Sequence, residues 1–230
     1  TLRRLRGALA GSAGAAAAVQ RDVPGLPVAV LPQFGVHVPA TPVHRQHRGL
    51  AIAFIGRLVR GKGLGTLLQA LASNRGERWR LTIVGEGPER ETIEQLALAL
   101  RLAPRIRWAG ALPAAHVTGM WPELDVLALP AEQPAARTER AGDLVLEAMA
   151  HEVAVVGTAT GVIPELLGDA GLVVPPGDRE RLAEALRRLS DEGERRALAQ
   201  RARLRAMQLF SNDAVAERTL TFWNSLKPTP

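Results

Sequence analysis

Seven short apolar or β-branched runs punctuate the chain, at 27–31 (PVAVL), 50–55 (LAIAFI), 80–84 (RLTIV), 105–110 (RIRWAG), 125–130 (DVLALP), 153–158 (VAVVGT) and 171–176 (GLVVPP). Their length and their Gly and Pro borders predict buried strands. Segments with helical spacing lie between most of them, at 64–73, 89–102, 141–152 and 178–207. Strands alternating with helices predict an α/β fold, a Rossmann-like parallel sheet flanked by helices. Right-handed crossovers bring the C-terminal ends of the strands to one rim, where ligands bind. The ligand loops are then GRLVRGKG, GEGPER, AGALP and PAEQPAARTERAGD, each directly after a strand.

The two ends break this rhythm. The first 20 residues, TLRRLRGALAGSAGAAAAVQ, faintly resemble an export signal but lack a leucine-rich centre, and they read as an Ala-rich helix. Residues 32–49 are Pro-rich and aperiodic and read as a linker. One strand and one helix precede it, too little for a domain, so the front of the chain reads as the end of a domain. The last periodic segment, SNDAVAERTLTFWNSL, predicts a helix capped by Ser211, with Phe222 and Trp223 needing a packing partner. The predicted division is 1–49, the end of an N-terminal domain with its linker; 50–209, the Rossmann-like domain; and 210–230, a final helix and tail.

Composition narrows the chemistry. Lys and Arg number 29 against 23 Asp and Glu, for a net charge of +6, which favours anionic partners. No run of five like charges occurs, so nucleic acid is not indicated. The absence of cysteine excludes disulfides, zinc-thiolate sites and iron–sulfur clusters, and fits a cytoplasmic setting. No run of 18 apolar residues is present to span a bilayer.

The first ligand loop carries the clearest signal. Gly56, Gly61 and Gly63 remove side-chain bulk, while Arg57 can fork onto phosphate oxygens and Lys62 adds a mobile charge. Together they suit a diphosphate, although both are also common as solvated loop cations. VGEGPER looks like a dinucleotide fingerprint, but Arg90 fills the third glycine position and no acid ends a following strand at the required distance. It reads as an ordinary strand-to-helix turn. In ERAGDLVLE, Glu139 and Glu147 have seven residues between them. Were the stretch wholly helical, they would stand roughly 12 Å apart along its axis, a span comparable to that between a sugar and a ribose. Two solvent-facing carboxylates are the plainer reading. His44 and His47 have metal-compatible spacing near His37, yet no helix or carboxylate is expected beside them, so no metal is assigned. The four tryptophans, Trp79, Trp108, Trp121 and Trp223, read as packing residues.

The order FIGRLVRGKGLGTLLQAL, LTIVGEGPER, IRWAGALP, DVLALP, ERAGDLVLEAMA and GVIPELLGDAGLVVPPGD resembles the C-terminal, donor-binding domain of GT-B retaining glycosyltransferases of group 1. The resemblance covers about residues 28–226. It implies that Arg57 and Lys62 bind the donor diphosphate, that Glu139 contacts the transferred sugar, and that Glu147 contacts the ribose. Gly56 joins that phosphate loop, backbone amides around Gly142, Asp143 and Leu144 approach the sugar and phosphates, and the loop from Ala109 through Ala111 and Leu112 lines the base. It also implies transfer with retention, catalysed through Arg57, Lys62 and Glu139 without metal or cofactor, from a UDP-, GDP- or ADP-linked sugar. The implied partner is an N-terminal acceptor domain, in the same or a separate chain, through which a membrane would be touched. The last helix would cross to that domain. The sequence departs from the family pattern at Ala141-Gly142, at Asp143, at His151, Glu152 and Ala154, at Val162 and at Ala131. A noncatalytic nucleotide-sugar binding module and another nucleotide-binding α/β protein, such as an epimerase or oxidoreductase, are the rival readings.

Overall fold

The computed structural model describes residues 5–32, 35–45, 48–74, 76–132 and 141–226. By its internal packing the chain divides into two units, Pro39–Leu204 and the pair of segments Thr1–Val38 and Arg205–Pro230.

The larger unit is built on six strands, β3 (Leu50–Ile55), β4 (Trp79–Val84), β5 (Ile106–Gly110), β6 (Val126–Leu129), β7 (Ala154–Thr158) and β8 (Leu172–Val174). All pair in parallel, in the order β5-β4-β3-β6-β7-β8. The chain starts in the middle, works outward through β4 and β5, then returns to β6 beside β3 and works outward the other way. The crevice between β3 and β6 is therefore the topological switch point, where open α/β sheets take their ligands. Every residue of β3, β6 and β7 is buried, as expected for strands covered on both faces.

Alternation along each strand sends its side chains to two cores. Ile52, Phe54, Leu81, Ile83, Val126 and Val156 pack with helices α2 (Leu64–Ser73), α3 (Arg90–Ala99) and α7 (Arg179–Ser190). Asn74, just past α2, donates to the Ala183 carbonyl at 2.8 Å and ties α2 to α7. Helices α5 (Ala141–Ala150) and α6 (Ile163–Leu167) pack together and against β7. The short α4 (Ala114–Thr118) and a 3₁₀ turn, Trp121–Glu123, link β5 to β6. Register at the switch point is held by Asp125. Its Oδ2 accepts from the Ala51 amide at 2.7 Å, and its backbone bonds both Ala51 and Ala154.

The long helical pattern at 178–207 is not one helix. It breaks at Asp191 into α7 and α8 (Glu192–Arg205). Asp191 is extended, with φ −70° and ψ 120°, and its side chain accepts from the Glu194 amide at 2.7 Å, an N-cap that starts a new helix.

In the smaller unit, β1 (Ala8–Ala10) and β2 (Val28–Val30) form a parallel pair joined through α1 (Ala13–Asp22). The Ala-rich start is thus a strand followed by a helix. Ala-Leu-Ala has little strand preference of its own, and only pairing of Ala8 with Val28 and Ala10 with Val30 makes it one. A π-helical turn, Ala206–Phe210, leads into α9 (Asn212–Ser225). Ser211 caps α9 as expected, its Oγ accepting from the Ala214 amide at 3.2 Å. Trp223 is 54% exposed, so it is not the buried packing residue the sequence led us to expect.

Candidate functional site

Three loops meet above the crevice. The first, between β3 and α2, ends at Gly63, whose φ of 71° is left-handed and which caps α2. The second follows β4 and lies directly on the first. Leu58 donates to the Glu86 carbonyl at 3.0 Å, and Glu89 returns a bond to the Leu58 carbonyl at 3.0 Å. A Cβ on Gly85 would fall 1.9 Å from the Gly56 carbonyl oxygen, and one on Gly87 would fall 2.2 Å from that of Leu58. The two glycines of VGEGPER therefore admit a neighbouring backbone, which accounts for them without a dinucleotide. The third loop follows β6. There Glu132 donates its amide to the Gly61 carbonyl at 2.8 Å and accepts from Thr66 Oγ1 at 2.6 Å.

The loops enclose a cavity of about 700 Å³ at the carboxyl ends of β3, β4 and β6. Gly56, Arg57, Lys62, Ala111 and Leu112 line it. Asp143, Leu144 and Glu147, from the first two turns of α5, line it as well. Gly142 sits at the start of α5, half-buried, and Ala109 lies within β5. Glu139 lies outside the described residues.

The electrostatics are uneven. Arg57 is exposed and Lys62 half-buried. Burial, and next the nearby Arg57 charge, hold the Lys62 ammonium below the usual lysine range. A bound polyanion would oppose both effects, since an anion beside the ammonium favours its charged form. Asp143 is exposed in the first turn of α5, where the helix dipole favours a carboxylate. Among the described residues, no group of three or more His, Asp or Glu side chains is placed to hold a metal ion.

Several cavity residues were not singled out from the sequence. Glu86 lines the wall beside Gly110, its carboxylate bonded to Arg90, which also bonds Glu94 at 2.9 Å and lies over the Trp108 ring at 5.4 Å. Its position right after β4 was a readable signal, because every residue following a strand reaches this rim. Ala114 and Val117 come from α4, whose five residues are too few to show a period. Trp79 and Trp121 are buried packing residues, as expected; yet Trp121 also bonds the site carboxylate, donating Nε1–H to Glu147 Oε2 at 3.1 Å.

A model of the glycosyl transferases group 1 matches residues 43–205, which include the whole six-stranded sheet and the cavity. The chain belongs to this family. Among curated relatives, the 2-deoxystreptamine glucosyltransferase of Streptomyces kanamyceticus is 28% identical over 186 residues, 76% of this chain and 47% of that protein. The chain therefore spans under half the length of that glycosyltransferase. Among solved structures, sucrose-phosphate synthase from Thermosynechococcus elongatus matches with a TM-score of 0.77 at 24% identity, over 95% of this chain and 57% of that one. Anabaena HepE in complex with UDP matches with a TM-score of 0.77 at 20% identity, over 97% of this chain and 65% of that one. The fold is that of the C-terminal domain of a GT-B group 1 glycosyltransferase.

Proposed function

We propose that this chain supplies the donor-binding half of a retaining, metal-independent glycosyltransferase that uses a nucleotide-diphosphate sugar. The observation that carries the reading is the shared cavity: Arg57, Lys62 and Glu147 all line one pocket at the switch point of the sheet. Arg57 and Lys62 hold the donor diphosphate. The Ala111–Leu112 wall takes the base, and Glu147 accepts from a ribose hydroxyl. Glu139 contacts the transferred sugar, an assignment that rests on the resemblance of ERAGDLVLE to the family pattern alone. As the bond from the anomeric carbon to the phosphate oxygen breaks, its electron pair stays on that oxygen. Two cations already in place stabilise the growing charge, and the sugar passes through an oxocarbenium-like transition state; the acceptor hydroxyl oxygen bonds to the anomeric carbon, and its proton goes to the departing phosphate oxygen. The acceptor is held by an N-terminal domain, in the same or another chain, at a cytoplasmic and membrane-associated site. The UDP found in HepE supports a nucleoside diphosphate in this cavity.

Calorimetry of the chain with UDP, GDP and ADP tests the donor site. One of the three should saturate, and Lys62→Ala or Glu147→Ala should lose most of that affinity. Equal binding by both variants would remove the assignment. Product formation on adding the N-terminal half separates a transferase from a binding module. The module is favoured by Asp143, a carboxylate facing the cavity that takes the anion.

A further inference from the structure

Trp121 is fully buried, in the turn between α4 and β6, and its one polar atom points at the site from behind. Nε1 donates to Glu147 Oε2 at 3.1 Å. Thr118 Oγ1 lies 3.4 Å from the same oxygen and 3.2 Å from the Ala114 carbonyl, and its single proton serves one of them. The indole is therefore the committed donor. Its ring is held in turn by His151, stacked at 6.3 Å between centroids with 26° between planes. Glu147 Oε1 has no partner among the described residues, while Glu147 lines the cavity. The terminal torsion of a glutamate is soft and does not aim its oxygens by itself. A donor fixed in the core does so, and it leaves one oxygen to face a ligand.

We infer that Trp121 is a positioning residue, which orients Glu147 so that one carboxylate oxygen meets a ribose hydroxyl and makes the site discriminate against nucleotides lacking it. This rests on the donor-site reading above and adds the residue that makes the ribose contact selective. The indole acts through Glu147 and touches no ligand.

The test measures, on the full chain, the affinity of UDP, GDP or ADP, whichever binds, against its 2′-deoxy and 3′-deoxy forms. The parent should prefer the ribonucleotide over at least one deoxy form by roughly tenfold, the worth of a hydrogen bond to a charged group. Trp121→Phe keeps an aromatic ring but removes the donor. It should lose most of that preference while binding the disfavoured deoxy form as the parent does. The double variant with Glu147→Gln should be no less selective than Glu147→Gln alone, since the indole has nothing left to orient. An unchanged preference in Trp121→Phe, or additive losses, would overturn the inference. If Trp121→Phe does not fold, the indole N–H resonance of Trp121 in ¹⁵N-labelled protein decides. It should shift on Glu147→Gln, and a resonance that stays put would overturn the bond. A parent that binds no nucleoside diphosphate overturns the donor-site reading itself. A parent that binds one without ribose preference overturns only the inference drawn from Trp121.

Discussion

A Cβ on Gly63 would lie 1.7 Å from the carbonyl oxygen of Pro130, so the start of α2 and the end of β6 meet backbone to backbone. This contact joins the two strands that flank the switch point. It also fixes the residue directly after Lys62. Gly63 holds a φ of 71°, so two penalties oppose any side chain there. Gly63→Ala should destabilise the larger unit by about 2 kcal/mol or more, as an imposed left-handed conformation and a backbone clash together imply. Urea unfolding measures the loss. Nucleotide affinity should fall with it, because Lys62 moves when the loop gives way.

Lys62 should make both stability and binding depend on alkaline pH, in opposite directions. Burial and Arg57 depress its pKa in the folded chain. Between the depressed value and the ordinary lysine value, the unfolded chain binds more protons than the folded one. Stability therefore rises as pH climbs through that window. A bound diphosphate draws the proton back, so nucleotide affinity falls over the same window. Lys62→Met should flatten both slopes, as read by melting temperature and calorimetry across the alkaline range. A variant that keeps the parent's slopes would show that another group titrates.

Asp143 sets helix stability against anion binding. It sits in the first turn of α5 and also lines the cavity that Arg57 and Lys62 share. Asp143→Asn should destabilise the chain by about 0.5 kcal/mol, the scale of a carboxylate at a helix N-terminus. It should tighten nucleoside diphosphate binding, most visibly at low salt, where exposed charges are least screened. Affinity that stays level while stability falls would leave Asp143 with its effect on the helix dipole alone.

Asp125 is expected to matter for the sheet. Its carboxylate accepts from the Ala51 amide at 2.7 Å, and Arg195 approaches it at 3.7 Å. Removing the acceptor leaves the Ala51 amide without it at the start of β3. Asp125→Ala should cost about 1–3 kcal/mol in chemical denaturation, the penalty for a stranded donor. Asp125→Asn, which keeps an acceptor, should cost clearly less.

Much of the fold was legible because period and punctuation carry it. The run 64–73 is predicted as a helix and is one, Leu64–Ser73, since its apolar residues recur on one face and Gly63 precedes them. The run 178–207 misled because both of its helices are amphipathic. The stop lies in one residue, Asp191, whose side chain caps the second helix. Its D-x-x-E spacing to Glu194 was a start signal of the kind that marks helix N-termini. β1 carried no such signal. Ala8 and Ala10 are strand residues only through their partners on β2.

The sequence alone determined the α/β alternation, the rim on which ligand loops gather, the cations after β3 and the Ser211 cap, because each depends on residues close together in the chain. The tertiary structure alone decided that Gly85 and Gly87 serve a neighbouring loop, and that an indole from before β6 grips a carboxylate on α5. Trp121 and Glu147 are 26 residues apart. A hydrogen bond across that separation exists only once the helix and the turn are packed on the same sheet, so no local pattern announces it.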